Sequence, residues 1–166
     1  MRLATVSQSR EMEEITQNSY EISSELLMES AGALAARELE QAYFPELKRG
    51  QLSLLCGPGH NGGDGLVMAR HLHSMGHRHL VVYLLSPPQQ RTSELLARQL
   101  RRVQLQGLRL IDLFEHPEKR ESLKSSALIV DALFGTGISR PIEGLMGRTV
   151  EIINSTRTPV VSLDCP

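Results

Sequence analysis

Residues 56–65 read Cys56-Gly57-Pro58-Gly59-His60-Asn61-Gly62-Gly63-Asp64-Gly65, and this stretch decides the fold. It follows the apolar run Leu52-Ser53-Leu54-Leu55-Cys56 and precedes Leu66-Val67-Met68. A strand end therefore passes into a glycine-rich loop and then into a helix that opens near Gly62 and is under way by Leu66. Five glycines in nine residues permit positive φ angles and let backbone N–H groups approach a ligand. A helix N-terminus adds partial positive charge, so a phosphate is the natural guest of such a turn.

Working outward, apolar runs of strand length recur at residues 52–56, 80–85, 108–111, 127–130 and 160–163, with segments of helical period between them. That alternation predicts parallel βαβ units. The runs are continuous rather than alternating, which suits strands covered by helices on both faces. The fold class is α/β, with an open, doubly wound sheet of five parallel strands. Its later helices are predicted to open near Gly62, Gln90, Pro117 and Ile142. Before the first strand lies a helical preface: one helix over residues 9–16, and a second from the cap candidates Ser23 and Ser24 toward Ala42. The small-residue face of the second, Ala31, Gly32 and Ala35, suits close packing.

A chain of 166 residues with 40% apolar content can bury one sizeable core and little beyond a single domain. The formal charge of -1 arises from interspersed acids and bases, so no surface-wide field exists to hold a nucleic acid or an anionic membrane. The arginines near the second crossover, Arg91, Arg98, Arg101 and Arg102, read as a solvated helix face. No apolar run approaches the ~20 residues of a membrane-spanning helix. The N-terminus lacks the apolar stretch of a secretion signal, and its acidic residues from Glu11 onward argue against a transit peptide, so a cytoplasmic protein is expected. Cys56 and Cys165 read as reduced thiols rather than a disulfide.

Two common phosphate motifs can be tested against the glycine stretch. A P-loop would place Lys and Ser/Thr after its last glycine, whereas Asp64 follows Gly62-Gly63 here. Gly57-x-Gly59-x-x-Gly62 fits the dinucleotide fingerprint, but that fingerprint also wants a ribose-binding acid after the second strand, which ends in Leu84-Leu85-Ser86-Pro87-Pro88. A hydride-transferring dehydrogenase is weakened accordingly.

A second feature, Asp131-Ala132-Leu133-Phe134-Gly135-Thr136-Gly137-Ile138-Ser139-Arg140-Pro141, follows the fourth strand. Asp131 closes that strand at its carboxyl end, and Gly135-Thr136-Gly137 can form another nest of backbone N–H groups. Arg140 reads either as a phosphate contact or as a surface ion pair. A third feature is Asp164, after the fifth strand. With the strand order 3-2-1-4-5, both glycine segments flank one crevice at the switch point and Asp164 lies ~10 Å from the first strand. A carboxylate there serves as general acid or base if burial raises its pKa. Asn61, Asp64 and Asp131 also supply the oxygen donors that hard cations choose. His71, His73, His77 and His79 cluster near the end of the first crossover helix, but Gly76 breaks the i, i+4 spacing a metal pair needs, and they read as surface residues. His60 is poised between ligand contact and solvent, while Met28 and Met68 read as core.

Gly57-Pro58-Gly59-x-Asn61-Gly62-Gly63-Asp64-Gly65 together with Asp131-Ala132-Leu133-Phe134-Gly135-Thr136-Gly137 resembles the YjeF N-terminal domain, the family of NAD(P)H-hydrate epimerases. Leu27-Met28-Glu29-x-Ala31-Gly32 is similar to the helical preface of that family, and residues 160–166 are similar to the strand entering its Asp-x-Pro-Ser-Gly segment. The resemblance implies a Rossmann-like three-layer sandwich, a homodimer, and interconversion of the R and S epimers of hydrated NADH and NADPH. By matched position it implies that His60, Asn61, Gly62, Gly63 and Asp64, with Gly135, Thr136, Gly137, Ile138, Ser139, Arg140 and Pro141, contact the hydrated nucleotide. It also implies that the catalytic residue Asp164 sits beside the reacting ring and that Asn61 and Asp131 hold a potassium ion. His60 stands where the family usually has Asn. Because the family continues past the position of Pro166 with Ser-Gly and more of the sheet, residues 1–166 read as a domain lacking its C-terminal part. They also read as the front of a longer bifunctional protein carrying an ATP- or ADP-dependent dehydratase. A competing reading keeps the pocket without catalysis, as a nucleotide-binding or protein-interaction module. The joint presence of Asn61, Asp64, Asp131 and Asp164 favours chemistry.

Overall fold

The computed structural model describes residues 4–87, 93–137 and 141–164. In chain order these form α1 (Val6–Ser19), α2 (Ser24–Arg49), β1 (Leu52–Cys56), α3 (His60–Ser74), β2 (Leu80–Leu84), α4 (Glu94–Leu105) and β3 (Arg109–Asp112). A 3-10 segment (Pro117–Ser125), β4 (Leu128–Ala132), α5 (Gly144–Ser155) and β5 (Val160–Ser162) follow. All four strand pairings are parallel, in the order β3-β2-β1-β4-β5 that places a switch point between β1 and β4.

Every residue of β1 and β2 is buried, as their mostly apolar sequence requires, and the one serine in β1, Ser53, is paired with Ser126 Oγ at 2.7 Å. The period of two sorts them by face. Leu52, Leu54 and Cys56 pack with Leu66, Met68 and Leu72 of α3, with Leu96 of α4 and with Ala36 and Leu39 of α2. Leu55 packs with Tyr83, Ile129, Leu123 and Ile153 on the side of α5 and the 3-10 segment. Helices thus cover both faces of the sheet, the three-layer arrangement expected.

Several predicted boundaries shift for identifiable reasons. The second helix does not stop near Ala42 but continues to Arg49 across a kink at Tyr43 (φ -127°, ψ 23°), next to Pro45, which cannot donate to the helical ladder. Its N-cap is Ser23, whose side chain accepts the Leu26 N–H. Where a helix was predicted near Pro117 the chain makes the tighter 3-10 turn, with Leu123 as its one buried residue. The fourth strand runs on to Ala132, so Asp131 lies within it, in register with Leu55 and Ser162, rather than after it.

The histidines also differ from expectation, because carboxylates distant in sequence come to meet them. His71 Nε2 lies 2.8 Å from Glu29 Oε1, and Arg70 binds the same carboxylate. His77, nearly buried, lies 3.4 Å from Glu40. These contacts clamp α2 onto α3 and the turn that follows it. Arg98 and Arg102 likewise reach Glu25, at 2.5 and 2.6 Å, tying α4 to α2, whereas Arg91 lies outside the described residues. Cys56 is a free buried thiol whose pKa burial drives far up, which makes it inert.

Candidate active site

The carboxyl ends of β1, β4 and β5 open onto a cavity of about 660 Å³. Its floor comes from the turn after β1 and the start of α3 (Pro58, Gly59, His60, Asn61, Asp64), one wall from residues 133–137, and another from Leu163 and Asp164. The preface helices close the remaining side with Val6, Ser9, Arg10 and Glu13 of α1 and with Ala31 and Ala35 of α2.

The glycines of the first crossover do a different job from the one expected. Helix α3 already begins at His60, with Gly59 as its N-cap, and none of Gly57, Gly59, Gly62, Gly63 or Gly65 has positive φ. What Gly62 and Gly65 permit is contact. A Cβ on Gly62 would lie 2.0 Å from the Gly57 carbonyl oxygen, and one on Gly65 would lie 2.7 Å from Ala132 Cβ. Their absence lets α3 sit directly on the strand ends, so that its N-terminus points into the cavity. The first helical bond runs from Gly63 N–H to Gly59 O at 3.2 Å. By helix geometry the preceding amides of His60, Asn61 and Gly62 are left for other partners, with the positive end of the dipole behind them. Gly62 and Gly63 themselves are buried and do not line the cavity.

Asn61 organises the centre. Its Nδ2 donates to the carbonyls of Phe134 (2.6 Å) and Leu163 (3.2 Å), pulling together the loops after β4 and β5. Its Oδ1 is buried and has no partner among the described residues. An oxygen withdrawn from water with nothing to accept is costly unless a ligand supplies the missing donor or cation. Asp131 differs. Its register neighbour Leu55 belongs to the core on the α5 side, its Oδ1 accepts the Leu133 N–H at 2.9 Å, and it does not line the cavity. Burial pushes its pKa up. Among the described residues no three His, Cys, Asp or Glu side chains gather into a metal cage.

Asp164 lines the cavity, and its Oδ2 accepts the Thr136 N–H at 3.1 Å. Its φ of 72° is a left-handed conformation costly for a residue other than glycine, and such strain concentrates at functional sites. Gly135 makes room for it: a Cβ there would lie 2.3 Å from Asp164 Oδ2. Asp64 is the carboxyl whose acidity the fold changes most visibly. Burial, with Asp164 and Glu13 nearby, raises its pKa from 3.8 to about 7.

The structure thus brings His60, Asn61, Asp64, Gly135, Thr136, Gly137 and Asp164 to one cavity. Pro141 does not line it, and Ile138, Ser139 and Arg140 lie outside the described residues. Helix α1 contributes a wall of the cavity that its sequence does not announce. Arg10, the one Arg or Lys among the described lining residues, and Glu13 look in the sequence like any polar helix face.

The family described as YjeF-related protein N-terminus matches residues 24–166. A "Bifunctional NAD(P)H-hydrate repair enzyme Nnr" of Thermofilum pendens is 37% identical over 168 residues, covering 100% of this chain and 31% of the relative. An "NAD(P)H-hydrate epimerase" of Anopheles darlingi is 35% identical over 149 residues, covering 90% of this chain and 62% of the relative. The crystal structure of yeast ynu0, YNL200c, superimposes with a TM-score of 0.86 at 25% identity, covering 100% of this chain and 71% of that one. The chain therefore spans about a third of the bifunctional relative and 62% of the Anopheles one. Among the described residues no helix is long and apolar enough to cross a membrane.

Proposed function

The chain belongs to the YjeF N-terminal family, and on that premise we propose that it epimerises the R and S forms of hydrated NADH and NADPH, an isomerase reaction of nucleotide repair. The observation that carries the reading is the convergence of the α3 N-terminus, the turn at residues 135–137 and Asp164 on one cavity around an unpartnered Asn61 Oδ1. The pyrophosphate is bound where α3 begins, by helix-end amides and the partial positive charge behind them, with His60 and the Gly135-Thr136-Gly137 backbone beside it. Asp164 stands by the hydrated ring, held in place by the Thr136 N–H, and takes or returns a proton at the ring hydroxyl.

Potassium is proposed as the resident cation, held by Asn61 Oδ1 with Asp131, where it would supply positive charge beside bound pyrophosphate. The buried, unsatisfied amide oxygen supports that assignment for Asn61. The part given to Asp131 follows from the family resemblance, since its Oδ1 accepts the Leu133 N–H at 2.9 Å and it does not line the cavity. Exposed apolar side chains on the preface helices, Met12, Ile15, Leu26 and Leu34, support pairing of two copies. The bifunctional relative supports a dehydratase acting on the same hydrate, fused or separate, and the free Cys56 thiol supports a cytoplasmic setting.

The test is the equilibration of purified R and S hydrated NADH, followed chromatographically with and without the protein at fixed potassium. Acceleration is expected, with Asp164→Asn abolishing it while nucleotide binding survives. Tight nucleotide binding without acceleration would replace the epimerase with a binding module.

A further inference from the structure

Asp164 is not the only carboxyl beside the proposed ring site. Glu13, Asp64 and Asp164 all face the same cavity from three different elements: α1, α3 and the end of β5. Asp164 is exposed, whereas Asp64 is largely buried. Asp64 also forms part of a second, smaller cavity of about 120 Å³ between α1, α2 and α4, with Glu13, Gln17, Ser24 and His60 as its other polar lining and Leu27, Met28, Ala31 and Leu95 as its apolar lining. That volume is enough for a few water molecules at ~30 Å³ each, which Asp64 and the other polar residues can anchor. Asp64 is therefore a carboxyl standing between the ring site and a side chamber of mixed lining.

We propose that Asp64 is the second proton-transfer group of the site, the acid that works opposite Asp164, and that the side chamber is its route to solvent. This inference rests on the epimerase reading. Epimerisation at a ring carbon bearing both a hydroxyl and the ring nitrogen is redox-neutral and needs two proton movements. The nitrogen lone pair forms a C=N⁺ bond as the C–O bond breaks, and the departing hydroxyl takes the proton of Asp64 to leave as water. Water then adds to the opposite face: a new C–O bond forms, the C=N⁺ electrons return to nitrogen, and Asp164 accepts the proton released. The cycle leaves Asp64 ionised and Asp164 protonated, and exchange through the water of the side chamber restores the starting state. The reverse reaction uses the two groups in exchanged roles.

One carboxyl must hold a proton near neutrality while its neighbour is ionised. The environment of Asp64 supplies that asymmetry: burial comes first, then the charges of Asp164 and Glu13. The charged or titratable groups around it are Glu13 and Arg10 from α1, His60 from its own helix and Asp164 from the end of β5. The residues facing it from α2 and α4, Ser24, Leu27, Met28, Ala31 and Leu95, carry no charge. Like charges nearby and few cations keep the proton on.

The experiment compares wild type, Asp64→Asn and Asp164→Asn in the epimer-equilibration assay from pH 5.5 to 8.5, with nucleotide affinity and thermal stability measured on each. Wild type is expected to lose rate as pH rises through about 7. Asp64→Asn, isosteric with the protonated carboxyl, should lose ~10²–10⁴-fold in rate while keeping its affinity. Carbon-13 NMR of the aspartate carboxyls gives a readout independent of turnover: one resonance titrating near neutrality, absent in Asp64→Asn and shifted to lower pH in Asp164→Asn. An Asp64→Asn rate within a few-fold of an active wild type, or an Asp64 carboxyl titrating in the ordinary range, overturns the proposal and leaves the epimerase reading intact. A wild type that binds nucleotide without accelerating equilibration overturns both.

Discussion

Replacing Gly62 by alanine separates two uses of glycine, conformational freedom and close approach. Gly62 lies inside α3 and has no positive φ, so its backbone suits alanine, and helix propensity alone would favour the change by ~1 kcal/mol. The added Cβ, however, would stand 2.0 Å from the Gly57 carbonyl oxygen, 2.8 Å from its carbon and 2.9 Å from its nitrogen. Non-bonded heavy atoms settle at ~3.5 Å, so two backbone segments must part by roughly 1.5 Å. Neither can swing aside as a side chain would, and Gly57 is also held by its N–H to Ala132 O at 3.0 Å. Overpacking costs ~1–3 kcal/mol and more where nothing yields, so after the propensity gain a loss of ~2–3 kcal/mol is expected. For a domain of this size that lowers Tm by ~4–12 °C. Gly59→Ala is the control, since a Cβ there meets nothing within 4 Å, and it should change stability by less than ~0.5 kcal/mol. Urea unfolding of both variants decides the matter. Equal stability of Gly62→Ala and wild type, or greater damage from Gly59→Ala, would refute the close-approach argument.

Four further outcomes can be checked. The pKa of Asp64 is raised on folding from 3.8 to about 7, so its contribution to stability is full below pH ~4 and is lost as pH rises through 7. Asp64→Asn removes that loss and should gain on wild type between about pH 4 and pH 7, by a few kcal/mol at most; a pH-independent difference in unfolding free energy would contradict this. Asn61→Ala forfeits two hydrogen bonds to loop carbonyls and should cost ~1–3 kcal/mol while erasing any rate difference between potassium and choline chloride. Glu29→Ala leaves Arg70 and His71 without their shared carboxylate and should cost ~1–2 kcal/mol in thermal melts. Thr5→Ala removes the capping box that Thr5 forms with Gln8, worth ~1 kcal/mol, and should speed hydrogen exchange in α1 while leaving global Tm nearly unchanged.

The strands were legible because each centres on a short apolar run bounded by turn residues, interrupted only by single polar residues such as Ser53 and Arg109, and the order 3-2-1-4-5 assumed for a doubly wound sheet is the one observed. The residues at strand ends were legible for the same reason: an Asp directly after an apolar run has few other places to be. What could not be read was anything set by contacts between distant segments. Nothing near His71 or His77 in sequence announces Glu29 or Glu40, and nothing in Arg10 or Glu13 announces a cavity wall. Asp131 shows a finer limit. One residue of strand extension decides whether its side chain follows the sheet's alternation or turns toward the crevice, and strand ends are where pattern is least informative. The glycines misled for a physical reason, since positive φ and lack of space select the same residue.

Helix α1 supplies one side of the cavity yet buries none of its own residues, so little packing energy holds it down. An element attached in this way has its own opening equilibrium, separate from the unfolding of the sheet. The apparent affinity for any molecule that touches α1 is then the intrinsic affinity multiplied by the fraction of chains in which the helix is docked. Substitutions along its outer face that never meet the nucleotide thereby become tuning positions for occupancy, and evolution can adjust how readily the site fills without altering a single group that performs the chemistry.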